Sequence, residues 1–358
     1  MAKKYNFYAG PAILPQEVMK KAQAELLDLN GIGLSILEIS HRSKDFEAVI
    51  NAAEAKIRSL LGVPENYTVM FLQGGASLQF GMIPMNLLKG GKADYVHTGE
   101  WAKKAIKEAK LFGTVNVAAS AEDKNFNYIP EKFGFSADAK YVHVTSNETI
   151  GGVQWSKFPE TNGVPLVIDM SSDIFSRRID FKNVGMIYAG AQKNIGPAGV
   201  TLVIMRNDLI EACADGLTTM LSYKTHAKEK SLYNTPPCFA IYIIKLVMDW
   251  IEAQGGLAAV EKVNEQKAKA LYDAIDGSNG YYRGTANAKD RSRMNVTFRL
   301  PSEELEEKFV NEAKKAGFIG LKGHRSVGGC RASIYNAMGL EGVKALVQFM
   351  EKFANENK

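Results

Sequence analysis

The chain predicts an α/β fold: a large domain with a mostly parallel central sheet flanked by helices, plus a smaller α+β C-terminal domain. Three observations lead there. Its 358 residues are too many for one simple core and suit two domains. Short β-rich runs alternate with helical patterns from about residue 15 to residue 260, the rhythm of parallel strands joined by helices. After about residue 265 that rhythm gives way to one alternating strand and two helical stretches. We therefore expect a large domain over 16–265 and a small domain built from 1–15 and 266–358.

In chain order, Val18, Ala22, Leu26 and Leu29 recur at helical spacing and predict a helix over 16–29. A second helix, 43–61, sets Phe46, Val49, Ile50, Ala53, Ile57 and Leu60 on one face and stops at Gly62. A strand over 67–72 runs into Gly74-Gly75-Ala76-Ser77, which opens another helix. Further strands are expected over 94–98, 115–118, 141–145, 166–170, 186–189 and 200–205. The apolar run 239–251 is broken by Lys245 and Asp249 and falls short of the ~20 residues that span a bilayer. It reads as a core or interface helix. In the C-terminal part, 294–299 alternates as a strand, while 302–316 and 340–353 read as helices. No internal repeat, low-complexity tract or long linker is present.

The apolar fraction of 46% and charged fraction of 23% are those of an ordinary soluble globular protein. Net charge is +5, but the 44 basic residues are spread without a dense run, which argues against a nucleic-acid or membrane partner. Small anionic substrates stay open, because a local cluster matters more than the total. Cys213, Cys238 and Cys330 are odd in number and lack metal spacing, so neither a disulfide framework nor a metal site is expected. The opening MAKKYNFYAGP carries no apolar run fit for a signal peptide. Together these point to a reducing cytoplasm.

The stretch MIYAGAQKNIGPAGV, 186–200, sets Lys193 between an apolar run and a turn of small residues. Most lysines are solvated, but one held on such a turn can be desolvated, which frees its amine as a nucleophile toward carbonyls. In open α/β sheets, ligands sit outside the carboxyl ends of the strands, and several candidates stand at such ends. Gly74-Gly75-Ala76-Ser77 is either a tight strand–helix turn or an anion cradle at a helix N-terminus. Asp169, ending a strand in VIDMSS, is a cap, a structural ion pair, or the partner of a protonated pyridine nitrogen. Thr149 in SNETIGG caps a turn or bonds a ring hydroxyl, and Trp101 in HTGEW is core or a stacking face.

The chain resembles, over nearly its whole length, the phosphoserine aminotransferase family of class V, fold-type I enzymes that use pyridoxal 5′-phosphate (PLP). The resemblance rests on FYAGPAILP, EISHRSKDF, FLQGGASLQF, IPMNLL, HTGEWAKKA, SNETIGG, VIDMSSD, AGAQKNIGPAGV, NTPPCFAIY and GHRSVGGCRASIYNA. It implies that Lys193 carries PLP as a Schiff base and shuttles the α-proton, that Asp169 holds the pyridine nitrogen, that Trp101 stacks on the ring and that Thr149 bonds its hydroxyl. It assigns the cofactor phosphate to Ala76, Ser77 and Gln192, with Asn234 and Thr235 reaching the neighbouring subunit's cofactor in a homodimer. The family often carries arginine or cysteine where this chain has Ser77, so one charge-assisted contact is expected to be missing.

By the same resemblance Arg331 grips the substrate α-carboxylate through a two-point fork that lysine cannot copy. His41 with Arg42, the latter from the partner subunit, and His324 with Arg325 supply a pocket for a distal phosphate or carboxylate. The implied reaction is reversible amino transfer between L-glutamate and 3-phosphohydroxypyruvate. A phosphorylated 4-hydroxythreonine, used by bacterial relatives in pyridoxine synthesis, is left open as a further substrate. Other readings are an alanine–glyoxylate transaminase, a cysteine desulfurase using Cys330, and a silent PLP-binding scaffold. For the desulfurase, the neighbouring glycines favour a packing role for Cys330 in a turn. A nicotinamide oxidoreductase fails its structural test, since Gly31-Ile32-Gly33 follows a helix rather than a strand.

Overall fold

The strand runs of the N-terminal and central chain assemble into one seven-stranded sheet. The computed structural model describes residues 4–357, so 1–3 and 358 of the expected small domain lie outside the described residues. From edge to edge the strands are Tyr67–Leu72, Thr201–Arg206, Val184–Gly190, Leu166–Asp169, Ala139–Thr145, Lys92–His97 and Thr114–Ser120. All neighbours pair in parallel except Thr201–Arg206, which is antiparallel to both of its partners. Leu166–Asp169 and Val184–Gly190 are buried along their whole length, as strands covered on both faces must be.

Alternation along the strands divides the core into two layers. Met70, Tyr95, Tyr141, Val167, Tyr188 and Val203 join apolar residues of the helices Gly75–Leu87 and Glu100–Ala109. Val69, Val142, Ile168, Ile187 and Leu202 join those of Lys44–Leu61 and Cys238–Ala253. The apolar run 239–251 is thus a core helix, and its Lys245 pairs with Asp249 one turn on at 2.7 Å. Among the described residues no helix is long and apolar enough to cross a membrane.

Ser43 caps Lys44–Leu61 by accepting from the Phe46 N–H at 3.2 Å, and Gly62 ends it in the left-handed region at φ 68°. The expected helix over 16–29 is shorter, Gln16–Ala24. Side chains end it: Ser35 Oγ donates to the Leu26 carbonyl at 2.5 Å and Asp28 Oδ1 accepts from the Gly33 N–H at 2.7 Å. Those bonds replace the next helical turn and leave Leu27 83% exposed.

The C-terminal part has its own three-stranded antiparallel sheet, Arg283–Gly284, Asn295–Arg299 and Cys330–Ser333. Helices Glu303–Lys315 and Leu340–Glu356 pack around Phe298, Phe309, Met350 and Phe353. Phe7 from the N-terminus enters this core, next to Tyr5–Asn6, which pairs in parallel with Phe318–Ile319. The helix Gly256–Asp276 runs unbroken through residue 265: Leu257 and Val260 join the larger core, and Leu271 and Ile275 the smaller. Cys330 lies in a strand opposite Phe298 rather than in a turn.

Candidate active site

Register brings the strand ends together. Asp169 lies opposite Thr145 on one side and Tyr188 on the other, and Thr201 lies opposite both Gly190 and Leu72. The carboxyl ends of the parallel strands therefore share one edge of the sheet. From that edge leave the segments carrying Ala76 and Ser77, Trp101, Thr149, Asp169 and Lys193.

Lys193 Nζ donates to Thr149 Oγ1 at 2.7 Å and stands 4.9 Å from the Trp101 ring centre. Burial lowers its pKa to about 8, against the pull of the Asp169 and Glu148 carboxylates and with help from Arg331. Part of that burial comes from FYAGP. Gly10, at φ 149°, packs so closely that a Cβ there would lie 3.2 Å from Lys193 Cγ. The Ala12 N–H then donates to the Gln192 carbonyl at 2.9 Å.

Asp169 is 5% exposed, and its Oδ1 accepts from the Ser171 N–H at 2.9 Å. Burial raises its carboxyl above the ordinary range, partly offset by the charge on Lys193. Ser171 Oγ accepts from the Gly190 N–H at 3.0 Å, tying the loop after Asp169 to the strand that leads to Lys193. Ala76 and Ser77 occupy the first turn of Gly75–Leu87, which no side chain caps. That turn presents backbone N–H groups to an anion. The Gln192 carboxamide folds back over Gly190.

Arg331, on Cys330–Ser333, donates from Nη1 to the Thr149 carbonyl at 3.2 Å, while its Nε is buried without a hydrogen-bond partner among the described residues. Thr149 therefore meets both the amine and the guanidinium. His324 bonds Ser326 Oγ through Nδ1 at 2.7 Å. Burial holds its pKa down, and Arg331, Arg325 and Lys104 push it further the same way. A cavity of about 470 Å³ opens beside Arg331 rather than over Lys193, lined by Lys124, Asn127, Thr297, Arg299, His324 and Arg331 among others.

A second group stands apart. His41 Nδ1 meets Thr235 Oγ1 at 3.2 Å, and Asn234 Nδ2 donates to the Thr235 carbonyl at 3.4 Å. Arg42 is exposed, its N–H bonded to Ser40 Oγ. Among the described residues no hydrogen bond joins this group to Lys193, Asp169 or Trp101 within one chain.

Three residues at the site carry no sequence-based role. Lys104 sits one turn beyond Trp101, its Nζ 4.4 Å from that ring centre. Glu148, one residue before Thr149, accepts from the N–H groups of Trp101 and Ala102. Asn194, next to Lys193, accepts from the Asn336 N–H. Lys104 follows Trp101 by one turn inside the string HTGEWAKKA, so helical spacing would have found it, whereas nothing near Glu148 in the sequence points to Trp101. Nothing near Asn194 in the sequence points to Asn336.

Comparison with known proteins identifies the family. The family model for class-V aminotransferases matches residues 4–346. A phosphoserine aminotransferase of Desulfosudis oleivorans is 60% identical, over 99% of this chain and 98% of that one. A solved structure of phosphoserine aminotransferase from Bacillus circulans subsp. alkalophilus superposes with a TM-score of 0.98 at 55% identity, over 99% of each chain. PLP-bound phosphoserine aminotransferase from Trichomonas vaginalis superposes with a TM-score of 0.93 at 41% identity, over 98% of this chain and 100% of that one. The chain belongs to the class-V aminotransferases and, within them, to the phosphoserine aminotransferase family.

Proposed function

We propose that the chain catalyses reversible, PLP-dependent amino transfer between L-glutamate and 3-phosphohydroxypyruvate, giving 2-oxoglutarate and O-phospho-L-serine, a step of serine biosynthesis. One observation carries the reading: Thr149 holds Lys193 Nζ by its hydroxyl and Arg331 by its carbonyl. An amine freed by burial thus stands beside a cation with an unused N–H, the pair an α-amino acid needs.

The residues fit PLP. Asp169 is a buried carboxylate suited to a ring N–H, Trp101 offers an indole face toward Lys193, and the uncapped turn at Ala76 and Ser77 suits a phosphate. Gln192 and Thr149 would complete the set. When bound, PLP supplies an electron sink that stabilises negative charge at the substrate α-carbon. Lys193 Nζ, with its pKa near 8, holds and returns the α-proton close to neutral pH. Arg331 orients the α-carboxylate through paired N–H donors. His324 and Arg325, with His41 and Arg42 of a second copy, take the distal anion of phosphoserine or glutamate.

That last role calls for a homodimer, a reading supported by the separation of His41, Arg42, Asn234 and Thr235 from Lys193 within one chain. Leu27, Leu34 and Leu37, in the segment before His41, and Tyr233, next to Asn234, are exposed apolar residues suited to burial against a second copy. The three cysteines are free, which supports a reducing cytoplasm. The separate cores around Phe298 and around Ile187 support a division at residue 265 into 16–265 and 1–15 with 266–358. A desulfurase reading finds no support: Cys330 is 2% exposed and burial pushes its thiol far up.

The deciding experiment compares phosphoserine, serine and alanine as donors, following the cofactor's absorbance in the half-reaction. Phosphoserine is expected to exceed the other two by one to two decades in efficiency, since charge-assisted bonds are worth roughly 1.5–3 kcal/mol each. Equal efficiency for all three would return the chain to a general class-V transaminase.

A further inference from the structure

The indole of Trp101 is half-buried, and its Nε1 is buried without a hydrogen-bond partner among the described residues. No hydrogen bond from its own polar atom orients the ring, so its placement depends on the packing around it and on the backbone that carries it. That backbone is the first turn of Glu100–Ala109, whose cap residue, Gly99, offers no side chain. The missing cap comes from elsewhere in the chain. Glu148, 1% exposed on the strand Asn147–Glu148, accepts from the Trp101 N–H through Oε2 at 3.3 Å and from the Ala102 N–H through Oε1 at 3.1 Å. Thr98 Oγ1 donates to the same Oε1 at 3.5 Å. A Cβ at Gly99 would lie 2.5 Å from the Glu148 carboxyl carbon, so this approach requires glycine there.

We propose that Glu148 is a positioning residue: its carboxylate caps the helix that carries Trp101 and so fixes the indole plane against the cofactor beside Lys193. The inference rests on the stacking role given to Trp101 above. A carboxylate is the favoured group at a helix N-terminus, where two N–H donors and the helix dipole converge on it. The covalent neighbour of Glu148 is Thr149, which receives Lys193 Nζ. One short strand and the residue that follows it thereby set both the ring platform and the partner of the amine. Complete burial raises the Glu148 carboxyl to about 7 despite those donors.

The test is a double-variant cycle on PLP affinity, measured by equilibrium dialysis against cofactor-free protein, with no turnover involved. Glu148→Ala is expected to raise the cofactor Kd about tenfold, the scale of a lost helix cap. Glu148→Gln keeps one acceptor and should fall between. In a Trp101→Ala background the further loss from Glu148→Ala should shrink to less than about twofold, because there is no plane left to hold. The same fold-loss in both backgrounds means a structural role only and overturns the proposal. So does an unchanged Kd in Glu148→Ala when Trp101→Ala alone weakens binding. If Trp101→Ala alone has no effect, the stacking role itself fails, and the proposal falls with it. Should Glu148→Ala not fold, Glu148→Gln carries the same cycle. A loss of about threefold that vanishes without Trp101 supports the proposal, and no loss or an equal loss overturns it.

Discussion

The N–H of Asn336 donates to Oδ1 of Asn194 at 2.9 Å, and Asn194 is the residue after Lys193. Asn336 also donates to the Phe175 carbonyl at 2.9 Å and accepts from Asn264 Nδ2 at 2.9 Å, while Asn194 donates to the Ile174 carbonyl at 2.6 Å. Asn336 follows the strand that carries Arg331, so this buried amide network relates the carboxylate-binding cation to the reactive amine. Asn194→Ala leaves the Asn336 N–H and the Ile174 carbonyl without partners. It should cost about 1–3 kcal/mol of stability, read as a lower thermal midpoint, together with a loss of kcat/KM for phosphoserine. An unchanged midpoint would show that water replaces the link.

Lys193 is expected to carry the cofactor. After borohydride reduction the wild-type protein should keep PLP on the peptide containing Lys193. Lys193→Ala should lose both that adduct and nearly all turnover. Mass spectrometry that maps the reduced cofactor to another lysine would refute the assignment.

Arg331→Lys keeps the charge but not the fork. Lysine presents a point charge where a guanidinium pairs two N–H groups with a carboxylate. The variant should lose roughly one to two decades in kcat/KM for both glutamate and phosphoserine, with cofactor affinity unchanged. A loss confined to phosphoserine would move Arg331 to the distal end of the substrate.

Shared sites predict complementation. Mixing an Asn234→Ala/Thr235→Ala variant with Lys193→Ala should restore part of the activity, because a mixed dimer keeps one site free of both lesions. Subunit exchange without recovery would count against sites built from two chains.

Lys267 is 0% exposed, and its ammonium donates to the carbonyls of Ile334 and Tyr335, each at 2.8 Å. Burial lowers its pKa from 10.5 to about 7. Between those two values the unfolded chain binds a proton that the folded protein does not, so stability rises with pH across that window. Below about 7 both states are protonated and the contribution is flat. Relative to Lys267→Met, the wild type should gain about 1–3 kcal/mol between pH 7 and pH 9, measured by denaturant unfolding. Parallel pH profiles for the two proteins would sink the assignment.

Local spacing was enough for most of the elements and for setting candidate residues at strand ends. The alternation of Val69 with Met70 and of Val167 with Ile168 already divides a sheet with two covered faces, and Ser43 and Gly62 mark the ends of a helix by chemistry confined to one turn. That Lys193, Asp169 and Thr149 meet at one edge could be expected because each follows an apolar strand run, and parallel strands end on one side of their sheet. Packing decided what depends on partners distant in sequence. The first helix stops after Ala24 because Ser35 and Asp28 supply bonds that no helical periodicity contains. The strand Thr201–Arg206 runs antiparallel, an orientation that apolar composition does not encode. Glu148 and Asn194 read as ordinary polar residues until folding sets them against Trp101 and Asn336. Lys267 reads as surface until Leu271 and Ile275 on its helix are buried around it. Periodicity reports which face of an element is apolar, whereas a buried hydrogen bond exists only once both of its partners have been placed.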